Sequence, residues 1–162
     1  MKRFLLLFLA TVVTAWSASA QLSVSQLRTE HLTDPVGIGE RRPLLSWEVS
    51  DASRRGVTQS AYEIRVKSGG RTVWRTGKVA SAESAGVFYD GTPLTSDTRY
   101  TWQGRVWDDR GKASAWSRPA FWRTGLFDVG EWQARWIEPA VSDDLAAMFR
   151  RTFRVTKPVA EA

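Results

Sequence analysis

The chain has 162 residues, with 23 Lys and Arg against 17 Asp and Glu, one His, nine Trp and no Cys, a length that admits one ordinary domain with short additions and excludes two large ones. A hydrophobic fraction of 43% with 25% charged residues is enough to bury a core and excludes wholesale disorder. Lacking Cys, the chain has no disulfide staple, thiolate zinc site, Cys nucleophile or lipidated Cys anchor, and the single His31 excludes a His-rich metal centre.

Residues 1–20 have the anatomy of a secretory signal peptide. Lys2 and Arg3 form a positive start, the apolar run from Phe4 to Ala10 continues into Val12 and Val13, and Ala18-Ser19-Ala20 supplies the small residues of a cleavage site before Gln21. The apolar run is shorter than the ~20 residues that span a bilayer. Cleavage, a periplasmic or secreted product and no later membrane association are therefore expected. Loss of Lys2 and Arg3 lowers the formal charge from +6 to +4. The remaining cations include the separate doublets Arg41-Arg42, Arg54-Arg55 and Arg150-Arg151. No basic stripe with interleaved aromatics is apparent along the chain, so nucleic acid is not an expected partner.

From Gln21 to Arg123 short runs of period two alternate with turn signals, which predicts an all-β domain. Leu22, Val24 and Leu27 suggest a first strand, ended by an extended loop at residues 34–39 that contains Pro35, Gly37 and Gly39. Leu45, Trp47 and Val49 alternate in a second strand that Pro43 introduces. Tyr62, Ile64 and Val66 alternate in a third, closed by Ser68-Gly69-Gly70 as a hairpin turn. Val73 and Trp74 begin a shorter strand that Gly77 ends, and Val87 to Tyr89 form a brief fifth before the turn Asp90-Gly91-Thr92-Pro93. The longest strand, residues 99–107, places Tyr100, Trp102 and Val106 on one face and Thr101, Gln103 and Arg105 on the other. After the turn Asp108-Asp109-Arg110-Gly111, residues 120–123 form the seventh strand. Seven short strands with turns at this spacing predict an immunoglobulin-like, fibronectin type III-like β-sandwich over residues 21–125, with a small closed barrel as the alternative.

The remainder behaves differently. Residues 126–144 hold Trp132, Trp136 and Ile137 and then a polar stretch, and read as an interdomain connector. Met148, Phe149, Phe153 and Val155 start another strand-like run, so residues 145–162 read as the incomplete start of a second β-sandwich.

Within this pattern Leu94, Thr98, Tyr100, Trp102 and Val106, followed by Gly111 and Ser114-Ala115-Trp116-Ser117, resemble the second half of a fibronectin type III domain, where the Tyr supplies a tyrosine corner. More specific phrases are Leu32-Thr33-Asp34-Pro35-Val36-Gly37-Ile38, Arg42-Pro43-Leu44-Leu45-Ser46-Trp47, Gln59-Ser60-Ala61-Tyr62-Glu63-Ile64, Trp74-Arg75-Thr76-Gly77-Lys78-Val79, Arg105-Val106-Trp107-Asp108 and Trp132-Gln133-Ala134-Arg135-Trp136-Ile137. In this order they resemble the N-terminal module of bacterial α-L-rhamnosidases of glycoside hydrolase family 78. The resemblance implies a large secreted or periplasmic enzyme. In it a fibronectin-like module precedes further β-sandwiches and an (α/α)6 barrel whose carboxylates hydrolyse terminal L-rhamnose with inversion. It also implies that the downstream domains are the module's partners, together with rhamnose-containing carbohydrate. Residues 149–155 are similar to the opening strand of the next β-sandwich, but nothing here corresponds to the barrel, and no catalytic residue of the family can be placed.

The residues themselves offer no active site. Inverting hydrolysis needs two carboxyl groups ~6.5 to 9.5 Å apart, one of them protonated near neutral pH, whereas Asp108-Asp109 and Asp143-Asp144 are adjacent pairs in a turn and a connector. Asp34 reads as a turn former, and His31 has no Ser or Asp arrangement suggesting a triad. No catalytic, cofactor or metal residue is expected. Aromatic contacts remain. Trp47 and Trp102 share faces with core aliphatics. Trp107 points away from the core, where Arg105 could join it with Trp116 or Trp122 in a cation–π ladder. Trp107, Trp116, Trp122, Trp132 and Trp136 are thus the candidate contacts to sugar or to a neighbouring domain, the last two as docking residues. An independent carbohydrate-binding module and an adhesion spacer stay open as alternatives; an exposed coplanar Trp pair favours the first and a Trp-free outer surface the second.

Overall fold

A computed structural model of the chain describes residues 22–138 and 148–159; the expected signal peptide and the pair Asp143-Asp144 lie outside the described residues. Nine strands form among them: β1 (Ser23–Thr29), β2 (Val36–Ile38), β3 (Leu44–Ser50), β4 (Gln59–Ser68), β5 (Arg71–Arg75), β6 (Val79–Ala80), β7 (Val87–Phe88), β8 (Arg99–Asp108) and β9 (Ala120–Thr124). They build a three-stranded sheet, β1-β3-β7, and a six-stranded sheet along β2-β9-β8-β4-β5, with β6 also on β4. The seven expected strands are all present in an all-β sandwich. Sequence periodicity missed β6 and also β2, which lies in the segment expected to be a loop. β2 pairs parallel with β9 and is too short for alternation to reveal it.

Local chemistry explains the registers. In β1, Val24 and Leu27 are both buried although three residues apart, which a regular strand forbids. A bulge reconciles them: Gln26 adopts φ 49° and the pairing with β3 shifts between Ser25 and Arg28. The β4–β5 hairpin turns on Gly69 and Gly70, with φ of 55° and 81°, the left-handed pair that a two-residue turn requires. Gly91 answers a different need, because a Cβ there would lie 2.5 Å from both Trp74 Cβ and Tyr89 Oη.

Between the sheets lie Val24, Leu27, Leu45, Trp47 and Tyr89 against Tyr62, Ile64, Val66, Tyr100, Trp102, Val106 and Trp122. Trp47 Nε1 donates to Gln59 Oε1 at 3.0 Å, and Gln59 Nε2 donates to the carbonyls of Ser81 and Glu83, so this buried indole has its partner. Tyr100 Oη accepts the backbone N–H of Thr95 at 3.0 Å, the geometry of a tyrosine corner. Trp122 corrects one expectation. It is fully buried, stacked on Tyr100 at a centroid distance of 5.3 Å and 16° between planes, because it pairs with Tyr100 across β8 and β9 and so shares the inward face.

The compact unit continues to Glu131, and residues from Trp132 onward form a second unit. Phe127 packs on the core of the first. Glu131 Oε2 accepts from Ser96 Oγ and from the N–H groups of Phe127 and Asp128, tying the turn after β9 back to the sandwich. No strand forms between residues 148 and 159; the alternating run there has no pairing ladder among the described residues.

Candidate functional site: the outer face of the six-stranded sheet

On β4 and β8 the residues that alternate with the core side chains project outward. Glu63 faces Arg105 and Arg65 faces Gln103 in the β4–β8 ladder, and Arg65 faces Arg75 across β5. Trp107 follows on β8. Trp116 arrives by another route. After the turn at Gly111, residues 113–117 run beside β8, and Ser114 and Ser117 do the work of a strand with their side chains. Val106 N–H donates to Ser114 Oγ and Gly104 N–H to Ser117 Oγ, while the N–H groups of Ser114 and Ser117 donate to the carbonyls of Val106 and Gly104. Three residues span two of β8, so the indole between them is carried onto the outer face.

There it enters a ladder of cations and rings. Lys78 Nζ lies 4.7 Å from the Trp107 centroid, Arg105 Cζ lies 4.9 Å from both Trp107 and Trp116, and Arg65 Cζ lies 4.2 Å from Trp116. Each contact contributes ~0.5 to 2 kcal/mol depending on exposure. Polar bonds fix the guanidinium planes. Arg65 donates from Nε and Nη2 to Gln103 Oε1, and Gln103 Nε2 donates to the carbonyl of Ser117. Arg105 donates to Glu63 Oε2 and Arg75 to Glu63 Oε1, at 2.8 and 2.6 Å. Glu63 has a side chain only 3% exposed. Burial pushes its carboxyl up, but the bonds and charges of Arg75 and Arg105 outweigh that and hold it below the ordinary glutamate range.

The sequence reading brought Arg105, Trp107 and Trp116 together, and the structure places them so. Trp122, added as an alternative rung, belongs to the core. No basic stripe interleaves with aromatics along the chain, but one does on the folded face. Lys78, Trp107, Arg105, Trp116 and Arg65 come from four segments and form such a stripe. Arg65, Glu63 and Arg75 escaped notice, although the alternation of Tyr62, Ile64 and Val66 already assigned the first two to the outer face.

The other candidates have local roles. Asp108 is buried. Its Oδ1 accepts the N–H groups of Lys112 and Arg110, and its Oδ2 pairs with Arg54 at 2.8 Å, while Arg54 also reaches Asp109. The Lys112 N–H leads, burial opposes, and the Arg110 N–H and Arg54 add to it, so the carboxyl lies below the ordinary aspartate range. This is the opposite of what a general acid needs. Asp34 Oδ1 accepts the N–H of Phe121, and His31 is exposed at φ 63°. In the second unit Trp132 and Trp136 are exposed and, with Ala134, Arg135, Ile137 and Phe149, line a hollow of about 340 Å³.

Residues 24–128 match the family described as Rha78A-like, N-terminal immunoglobulin domain. An α-L-rhamnosidase of Streptomyces avermitilis is 43% identical over 121 residues, 72% of this chain and 12% of that protein. One from Formosa agariphila is 34% identical over 139 residues, 78% of this chain and 14% of its own. Among solved structures, the Streptomyces avermitilis α-L-rhamnosidase complexed with L-rhamnose aligns at a TM-score of 0.70 over 74% of this chain. The α-L-rhamnosidase of Dictyoglumus thermophilum aligns at 0.67 over 72%, with 32% identity. The chain spans only 12% and 14% of those two solved chains.

Proposed function

Because the chain belongs to the family of Rha78A-like N-terminal immunoglobulin domains, we propose that it is the accessory N-terminal module of an exported α-L-rhamnosidase and takes no part in bond cleavage itself. The observation that carries this reading is the match of its ordered domain, at 43% identity, to a small part of a rhamnosidase. The commitments of its carboxylates support it. Arg75 and Arg105 hold the carboxyl of Glu63, and the N–H groups of Lys112 and Arg110 with Arg54 hold that of Asp108, below the ordinary carboxylate range, and neither faces a partner carboxylate across a sugar pocket among the described residues. The indoles of Trp107 and Trp116 each carry two cations, which favours a structural ladder over a platform for stacked sugar.

Three measurements test the proposal. The purified chain should release no rhamnose from aryl rhamnosides, and turnover abolished by changing Asp108 or Asp109 would overturn the non-catalytic reading. A chimera in which residues 22–131 replace the corresponding module of the Streptomyces avermitilis enzyme should fold and keep its turnover; an insoluble or inactive chimera would overturn the accessory role. Export is tested by the mature N-terminus, expected at Gln21.

A further inference from the structure

The outer face of the six-stranded sheet carries more positive charge than its contacts use. Arg65 and Lys67 on β4, Arg75 on β5, Lys78 before β6 and Arg105 on β8 share this face with Arg99 on β8 and Arg123 on β9, the last paired with the exposed Asp97; the first five surround one carboxylate, the buried Glu63. That carboxylate pairs with two of the five cations. Arg65 is bonded to the neutral amide of Gln103, Lys78 lies over an indole, and Lys67 faces Thr101 across the ladder. Three cations of the five therefore have only neutral partners among these contacts. Arg65 and Lys67 sit two residues apart on the rigid backbone of β4, and Lys78 lies just before β6 with its ammonium over the Trp107 ring. Preorganised charge of this kind loses little conformational entropy on binding.

We infer that this face docks an anionic polysaccharide, a glycan whose repeating carboxylate or sulfate groups pair with the cation array. The choice of glycan rests on the accessory-module reading above; the choice of an anionic one rests on the charge count. Trp107 and Trp116 already bear cations, so recognition is ionic and not by stacking, and a neutral polymer gains nothing from this face. A single acidic group would be screened at an open surface, whereas a repeating polyanion engages several cations at once and releases counterions as it does.

Affinity electrophoresis of the chain through gels holding polygalacturonate, dextran sulfate or neutral dextran tests this. Retardation is expected with the carboxylated polymer, the sulfated polymer or both, which identifies the anion recognised, and none with dextran. Raising salt from about 50 to about 200 mM should weaken the complex about tenfold or more. Lys67→Gln with Lys78→Gln should weaken it about fivefold or more, whereas Arg41→Gln with Arg42→Gln removes the same charge from the loop before β3 and should change it less than about twofold. Lys67→Glu alone, at a position outside the ladder of cations and rings, should act in the same direction as the lysine pair.

No retardation by either polyanion, an equal effect of the two double variants, or tighter binding to duplex DNA would overturn the inference. Failure here beside an active chimera removes the glycan face alone. An inactive chimera beside retardation here removes the accessory reading alone.

Discussion

Three residues show how single positions set this domain's stability. The Tyr100 hydroxyl reaches back five residues to the N–H of Thr95, so Tyr100→Phe should cost about 0.5 to 1.5 kcal/mol, the net value of one hydrogen bond. An unchanged denaturation midpoint would show that the Thr95 N–H is equally well served by water. At Gly91 the constraint is space: an added methyl would overlap Trp74 and Tyr89, and Gly91→Ala should lose about 1 to 3 kcal/mol through forced repacking. Glu63 makes a pH-dependent contribution. Its folded pKa is depressed, so its stabilisation is fully present above the unfolded value of about 4.3 and is lost as pH falls through the folded one. Glu63→Gln should therefore cost about 1 to 3 kcal/mol at pH 7 by leaving Arg75 and Arg105 without their counter-charge. Asp51, Asp108 and Glu131 are also held low, so the parent chain loses stability in acid from several sites. The gap between parent and variant isolates the share of Glu63, and urea midpoints taken from pH 7 down to about 3 should show that gap closing in acid. A gap that stays constant would mean that the carboxyl's charge is not what matters.

At the scale of elements, what was legible followed from alternation. β3 and β4 repeat large apolar residues at every second position and β8 does so except at Gly104, enough to name Trp47, Tyr62, Ile64, Trp102 and Val106 as core. What alternation could not supply was anything set by a neighbouring segment. β2 exists because the carbonyl of Pro35 accepts the N–H of Arg123 and that of Ile38 accepts the N–H of Gly125, contacts some ninety residues apart. Trp122 could be assigned to a face only once its register with Tyr100 was known. The outer ladder needed four segments in place. Ser114 and Ser117 are the least legible of all, since two serines flanking Ala115 and Trp116 read as a loop until their hydroxyls are seen on the β8 amides. Ser114→Ala or Ser117→Ala should each cost about 1 to 3 kcal/mol by stranding a buried N–H, and Trp116 should lose its fixed place beside Arg65 and Arg105. Quenching of tryptophan fluorescence by acrylamide should then rise. Stability lost without added quenching would mean that the ladder holds the segment and the serines do not.

For the molecule as a whole, the boundary at Glu131 divides side chains whose environment is complete from side chains whose environment is not. Up to that residue the sandwich closes over its own core, and Phe127 and Glu131 seal its end. Immediately beyond, Trp132, Trp136 and Ile137 are 65%, 103% and 70% exposed, an apolar concentration of the kind that marks an interface. Burying indoles of this size would contribute ~2 to 3 kcal/mol each, yet in this chain they collect little of it. The accessory-module proposal accounts for the difference: the cover is a downstream domain of the same polypeptide. It follows that Trp132→Ala with Trp136→Ala should change the thermal midpoint of the present chain by no more than the ~0.5 kcal/mol of ordinary surface substitutions. In a longer chimera, in which residues 22–138 replace the corresponding part of a full rhamnosidase, the same pair should lower the midpoint clearly, because there the indoles would lose buried area. A loss above ~2 kcal/mol in the present chain alone would instead mean that both rings belong to a core of its own, and no loss in either protein would mean that no domain covers them.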